Sequence, residues 1–190
     1  LYRTPEFRRA LSLAINRGRM QKMLFFNLGE ITTGTFSPKA VEFHRTEEGK
    51  DLYKEWRDMY VEYAPDRAKQ MLDSIGVVDK DNDGWRDLPS GKPLLVRIDR
   101  DANANKTDVQ ANEMVKADWE AIGIRTILNP IDGSALGIMD QTASFDIRDS
   151  WELGDGPNHL VFPQWVVPID LSRWAPLNGA WYSVQDNDPD

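Results

Sequence analysis

Apolar residues recur along this chain at two different periods. Phe7, Ala10, Leu11, Ala14 and Ile15 fall on one helical face, with Thr4 placed as N-cap and Pro5 as the first helical residue. Asn16 is suited to end that helix and cap the next, which carries Met20, Met23, Leu24 and Phe25. Pro65 opens a third helix, with Ala68, Met71, Leu72 and Ile75 at i, i+3, i+4 and i+7 and Gly76 as its stop. Residues 94–101 alternate as a strand. A helix follows over 108–122, with Ala111, Val115, Trp119 and Ile122 on one face and Gly123 as its stop. A strand over 124–131, a short helix over 134–142 and a third strand over 145–152 complete the series.

The order β-α-β-α-β predicts an α/β fold, a sheet with crossover helices packed on it. The pattern is weaker over 35–62. Phe36, Ser37 and Pro38 read as a turn, 47–50 as a polar stretch, and 52–63 as a short surface helix. From Gly154 onward Gly, Pro and Trp dominate and the period fades. The chain therefore divides into an α/β unit, 1–153, and an irregular Trp- and Pro-rich segment, 154–190. A long irregular stretch of this kind is usually functional or a linker.

Composition narrows the function classes. A formal net charge of −8 argues against a nucleic-acid partner and against docking on an anionic membrane. No apolar run is long enough to span a bilayer, so no direct membrane insertion is expected of this segment. The chain has 0 cysteines, which excludes disulfides, thiolate metal sites and a cysteine nucleophile. It opens at Leu1 beside a helix start and closes over 185–190 without a terminal element, which reads as an excised piece of a longer protein.

Few residues suggest chemistry. Asp79, Asp81, Asp83 and Gly84 match the first half of a calcium-binding loop, with Asp87 at the ninth position. The twelfth is Ser90 where a bidentate carboxylate is needed, so the expected reading is an acidic turn with no metal. Trp85 is expected to pack under that hairpin and Trp119 in the core. Trp151, Trp165 and Trp174 are candidates for a pocket wall, since a flat ring with one N–H suits both peptide side chains and sugar faces. Asp155 lies between Gly154 and Gly156, where it reads either as a ligand-binding carboxylate or as ordinary turn chemistry. His159 is placed to edge the same pocket, and His44 carries no assigned role. Asp140, Asp146, Asp149 and Glu152 invite a two-carboxylate hydrolase reading, but their spacing does not support it. No nucleophile elbow, P-loop or dinucleotide fingerprint is present.

Three motifs carry a resemblance. Phe7 to Arg17 is similar to a Val-Arg-x-Ala-x-x-x-Ala-Ile-Asp-Arg helix, with Asn16 in place of the Asp. Tyr63 to Lys92 resembles a Tyr-Asp-Pro-x-x-Ala-x-x-Leu-Leu helix followed by Gly and an acidic Gly-Lys hairpin, with Ala64 in place of Asp. Trp151 to His159 resembles Trp-x-Gly-Asp-x-x-Asp-Pro, with one extra residue before Gly154 and with Asn158 and His159 at its end. Together they resemble the second lobe of family 5 extracytoplasmic solute-binding proteins.

The resemblance implies one lobe of a periplasmic-binding-protein type II-like clamp, built on a mixed sheet. It implies a monomer that captures a small-molecule solute, a peptide or an oligosaccharide, and hands it to the transmembrane subunits of an ABC permease. The location implied is extracytoplasmic, in the periplasm or lipid-anchored at the cell surface. No cofactor, resident metal or catalytic residue is implied. The ligand-binding residues would be Trp151, Asp155, Trp165, Trp174 and His159, with Asp155 holding a peptide's ammonium group and 154–190 bordering the cleft. The alternatives are a carbohydrate-active hydrolase with carboxylates in the final third, or a calcium-dependent interaction module on Asp79 to Asp87.

Overall fold

The structure is a computed structural model that describes residues 1–33, 40–149, 168–169, 172 and 175–186. Eleven elements follow one another: α1 (Pro5–Ala14), α2 (Arg17–Leu24), α3 (Val41–His44), α4 (Glu47–Asp58), α5 (Pro65–Ser74), β1 (Leu95–Asp101), α6 (Lys106–Glu120), β2 (Arg125–Ile131), α7 (Gly133–Thr142), β3 (Ile147–Arg148) and α8 (Pro176–Asp186).

The three strands form one sheet in the order β2-β1-β3, and both pairings are parallel. The expected mixed sheet is thus parallel throughout its described strands. Pro130 is tolerated in β2 because that strand lies at an edge of the described sheet. The expected third strand, 145–152, is described only as far as Asp149, and within that part its paired residues are Ile147 and Arg148.

Strand alternation sorts the side chains onto two faces. Leu94, Val96, Ile98, Ile124, Leu128 and Ile147 all face the hydrophobic core. Phe7, Leu11 and Leu13 from α1, Leu72 from α5 and Trp119 from α6 fill it from the other side. The carbonyls left over in the last turn of α1 find partners from distant elements. Leu11 O accepts from the Trp119 indole at 3.0 Å, and Leu13 O accepts from Ala64 N at 2.8 Å. Ser12 O accepts from Arg17 at 2.8 Å.

Helix ends follow the expected chemistry in most places. Asn16 caps α2 by accepting from Arg19 N, and Gly76 and Gly123 take φ of +76° and +85° after α5 and α6. Ala64 caps α5 without a side-chain bond. Two expectations are corrected, over 47–50 and over the last part of 154–190. The polar stretch 47–50 is the first turn of α4, because Thr46 accepts from Gly49 N and Glu47 and Glu48 suit a helix N-terminus. The apolar residues of α2 are not core: Met23 and Phe25 are exposed, since only the N-terminal end of this helix is tied to α6. The irregular reading of 154–190 fails over its last part, where α8 forms after Pro176, which sits at a favoured first helical position. His44 packs edge-on against Tyr53 at 5.2 Å in an aromatic group with Phe43 and Trp56.

Candidate functional site

The five residues singled out from sequence, Trp151, Asp155, His159, Trp165 and Trp174, lie outside the described residues. The described chain ends its sheet at Asp149, two positions before Trp151. The candidate site is therefore built from the carboxyl ends of the three parallel strands, the last of which leads into that segment.

Arg148 and Asp149 set the geometry of this end. On successive positions of an extended chain, their side chains leave on opposite faces. Arg148 pairs with Asp140 of α7. Asp149 accepts from Asn112 of α6 at 2.7 Å. The two crossover helices thus lie on opposite faces of the sheet. Ligands of open α/β sheets bind in the crevice formed where the connections diverge, outside the strands' carboxyl ends.

The face opposite the core is polar near this end. Asp99 is fully buried there, 0% exposed. Its carboxylate lies 2.9 Å from Arg97 Nε and accepts from Asn129 Nδ2 at 2.7 Å. Asp149 N donates to the Asp99 carbonyl at 2.9 Å and ties β3 to β1. On the helix α6 side, Arg100 donates through Nη1 to the Asp101 carbonyl at 2.9 Å. Further toward the amino ends, the polar face becomes apolar and open, with Leu95 and Ile127 49% and 40% exposed.

Of the carboxylates invoked for hydrolysis, Glu152 lies outside the described residues, and the other three do not face each other. Asp140 is held by Arg148 on one face, Asp149 by Asn112 on the other, and Asp146 is exposed near Tyr2.

The acidic loop is built as a turn. Asp79 accepts from Gly84 N, Asp81 from Asp83 N, Asp83 from Trp85 N and Asp87 from Lys80 N, at 2.8 to 3.2 Å. Asp83 also pairs with Arg125 at 3.1 Å. Carboxylate oxygens of Asp79, Asp81 and Asp87 lie within 4.8 Å of one another, so the turn gathers negative charge while spending its lone pairs on backbone donors. Trp85 is half-buried, with the Arg125 guanidinium 5.2 Å over its ring.

Sequence reasoning missed Asp99, Asn112, Asp118 and the pairing of Asp140 with Arg148. A signal was present for two of them. Asn112 shares the stripe of Val115 and Trp119, and Asp118 adjoins Trp119. A polar residue on a core-facing helix stripe needs a partner. Asp118 finds two, accepting from Asn16 N at 2.8 Å and Arg19 Nη2 at 2.7 Å.

Comparison with known proteins gives consistent matches. The profile of the bacterial extracellular solute-binding proteins, family 5, middle region, matches residues 1–167. The periplasmic alpha-galactoside-binding protein of Rhizobium meliloti (strain 1021) is 25% identical over 154 residues, which cover 77% of this chain and 20% of that protein. Among solved structures, the oligopeptide-binding protein OppA matches with a TM-score of 0.78 and 28% identity, over 97% of this chain and 29% of that one. The periplasmic oligopeptide-binding protein of an oligopeptide ABC transporter from Thermotoga maritima matches with a TM-score of 0.61 and 25% identity, over 76% of this chain and 26% of that one. The chain thus spans between a fifth and a third of the length of these relatives.

Proposed function

The chain belongs to the bacterial extracellular solute-binding proteins of family 5, and on that premise we propose that it is one lobe of a two-lobed clamp. The clamp captures a peptide or an oligosaccharide and delivers it to the transmembrane subunits of an ABC importer. The observation that carries this reading is the family match over 1–167, joined to a parallel sheet whose flanking helices diverge at the strands' carboxyl ends. The relatives named above suggest the two ligand classes, one being named for alpha-galactoside binding and two for oligopeptide binding.

In this reading residues 1–153 form the lobe and 154–190 border the cleft. Trp151, Asp155, Trp165, Trp174 and His159 contact the solute. The protein works as a monomer outside the cytoplasm and performs no covalent chemistry. Hinge closure traps the solute between the lobes.

The test is calorimetric titration of the full-length protein and of Trp151→Ala and Asp155→Ala with tripeptides and trisaccharides. For a peptide, Asp155→Ala costs about 2 to 5 kcal/mol of binding, as for one partner of a desolvated charge pair. For a sugar, Trp151→Ala shows the larger loss. Unchanged affinity in both variants removes these residues from the cleft. Turnover of a bound solute overturns the transport reading.

A further inference from the structure

Helix α2 ends in an exposed apolar tip. No residue of α2 is fully buried, and none of its side chains belongs to the hydrophobic core. Just beyond it Phe25, Phe26 and Leu28 are 47%, 80% and 73% exposed, beside Met23 at 63%. Single exposed apolar residues are ordinary, but four within six positions form a patch, and patches mark interaction surfaces.

The tip is held in shape by its own hydrogen bonds. Phe25 N and Asn27 N both donate to the Gln21 carbonyl, at 3.1 and 3.0 Å, and Leu28 N donates to the Phe25 carbonyl at 2.8 Å. The Gln21 side-chain amide reaches across to the Gly29 carbonyl at 2.8 Å. Phe26 and Asn27 are thereby kept in left-handed backbone, at φ of +54° and +61°. A bulky side chain disfavours that region, and residues held there cluster at sites that bind or switch. The aromatic pair is thus fixed before it meets a partner, which lowers the cost of docking.

The size of the tip points to the kind of partner. Two Phe, one Met and one Leu cover on the order of 500 Å². A stable complex between separate proteins takes about 800 Å² a side, from roughly 20 to 30 residues. A contact within one polypeptide needs less, because the chain already holds the two surfaces at high effective concentration. This chain covers 20% to 29% of the relatives named above, so most of such a protein lies outside it.

We propose that the tip over 25–28 docks in an apolar seat on the same polypeptide, outside residues 1–190, and joins this lobe to the rest of the protein. This rests on the solute-binding reading above only in taking the chain as one lobe of a longer protein.

The experiment places the photoreactive residue p-benzoylphenylalanine at Phe25, Phe26 or Leu28 in turn in the full-length protein and maps the cross-links by mass spectrometry. Thermal melts confirm that each variant is folded. The expected product is a cross-link within one chain to a peptide outside residues 1–190. Hydroxyl-radical footprinting of the wild-type protein is expected to oxidise Phe25 and Phe26 at least fivefold more slowly in the native than in the denatured state. A cross-link between two chains makes the occupant a second copy and overturns the inference. Cross-links confined to residues 1–190, no cross-link from any of the three positions, or less than fivefold protection also overturn it. Raffinose and trialanine are titrated into the same preparation. Absence of binding counts against the solute-binding reading alone, while the cross-linked peptide decides this inference.

Discussion

The Trp119 indole donates to the Leu11 carbonyl at 3.0 Å, joining residues 108 positions apart. The bond does two jobs. It satisfies the indole N–H in the core, and it supplies a donor to a carbonyl that the end of α1 leaves without a helical partner. Trp119→Ala should cost about 3 to 5 kcal/mol, as for a large buried aromatic. Trp119→Phe keeps most of the packing but orphans the carbonyl, and should cost about 1 to 3 kcal/mol. Urea denaturation of both variants separates the two contributions. No loss in Trp119→Phe would mean that the hydrogen bond contributes nothing.

Asp118 fixes α2 from a distance. Its buried carboxylate accepts from Asn16 N and from Arg19, at the start of that helix. A negative charge there also suits the positive end of the α2 dipole. Asp118→Ala should destabilise the lobe by about 2 to 3 kcal/mol, the range for hydrogen bonds to charged groups. Amide exchange should accelerate over 16–19 before it does elsewhere in the lobe. A uniform change in exchange would place the effect in the core rather than at this helix end.

Tyr2 makes the fold sensitive to alkali. Its hydroxyl is pushed up to about 12, chiefly by burial and secondarily by Asp146, with Arg97 opposing. A folded pKa above the unfolded one favours the neutral hydroxyl in the folded state. The associated stability is complete below the unfolded pKa of 10.0 and is lost as pH rises from there to about 12. The melting temperature should therefore fall over that window, and less steeply in Tyr2→Phe. An identical alkaline slope in the variant would assign the loss to other groups.

The acidic turn should hold its shape without calcium. Four of its aspartates already accept backbone N–H groups, and Ser90 supplies no closing carboxylate. Calorimetry should detect no micromolar calcium binding. Asp79→Ala should cost about 1 kcal/mol through the lost bond to Gly84 N. Micromolar affinity that disappears in Asp81→Ala would instead establish a metal site.

Most of the fold was legible because its elements obey strong local rules. The α1 stripe, the Pro65 start, the Gly76 and Gly123 stops and the alternation of β1 each depend on a few neighbouring residues. What escaped was set by distant contacts. The exposure of Met23 in α2 was not legible, because nothing in that helix's own sequence names Asp118 as the partner of Asn16 and Arg19. The start of α4 was missed because Glu47 to Lys50 is uniformly polar, and only the Thr46 cap reveals a helix there. Of the candidate site, the strand ends were foreseen, since β-α-β order dictates them. The Arg97–Asp99 and Asp140–Arg148 pairs were not, because alternation assigns a residue to a face without naming what waits on the other side.

The described part of strand β3 is two residues long, and backbone pairing over that part alone gives it little hold on its position. The side chains compensate through their order of charge. Sliding the strand back by one residue would turn Asp149 toward Asp140, acid against acid. Sliding it forward would take Arg148 from Asp140 and Asp149 from Asn112, and leave the Asp140 charge without its partner. Either slip also reverses which face every following side chain meets. Two adjacent residues of opposite sign thus act as a key that fits in one position, and they set the phase of the chain just before it enters the segment from Trp151 onward.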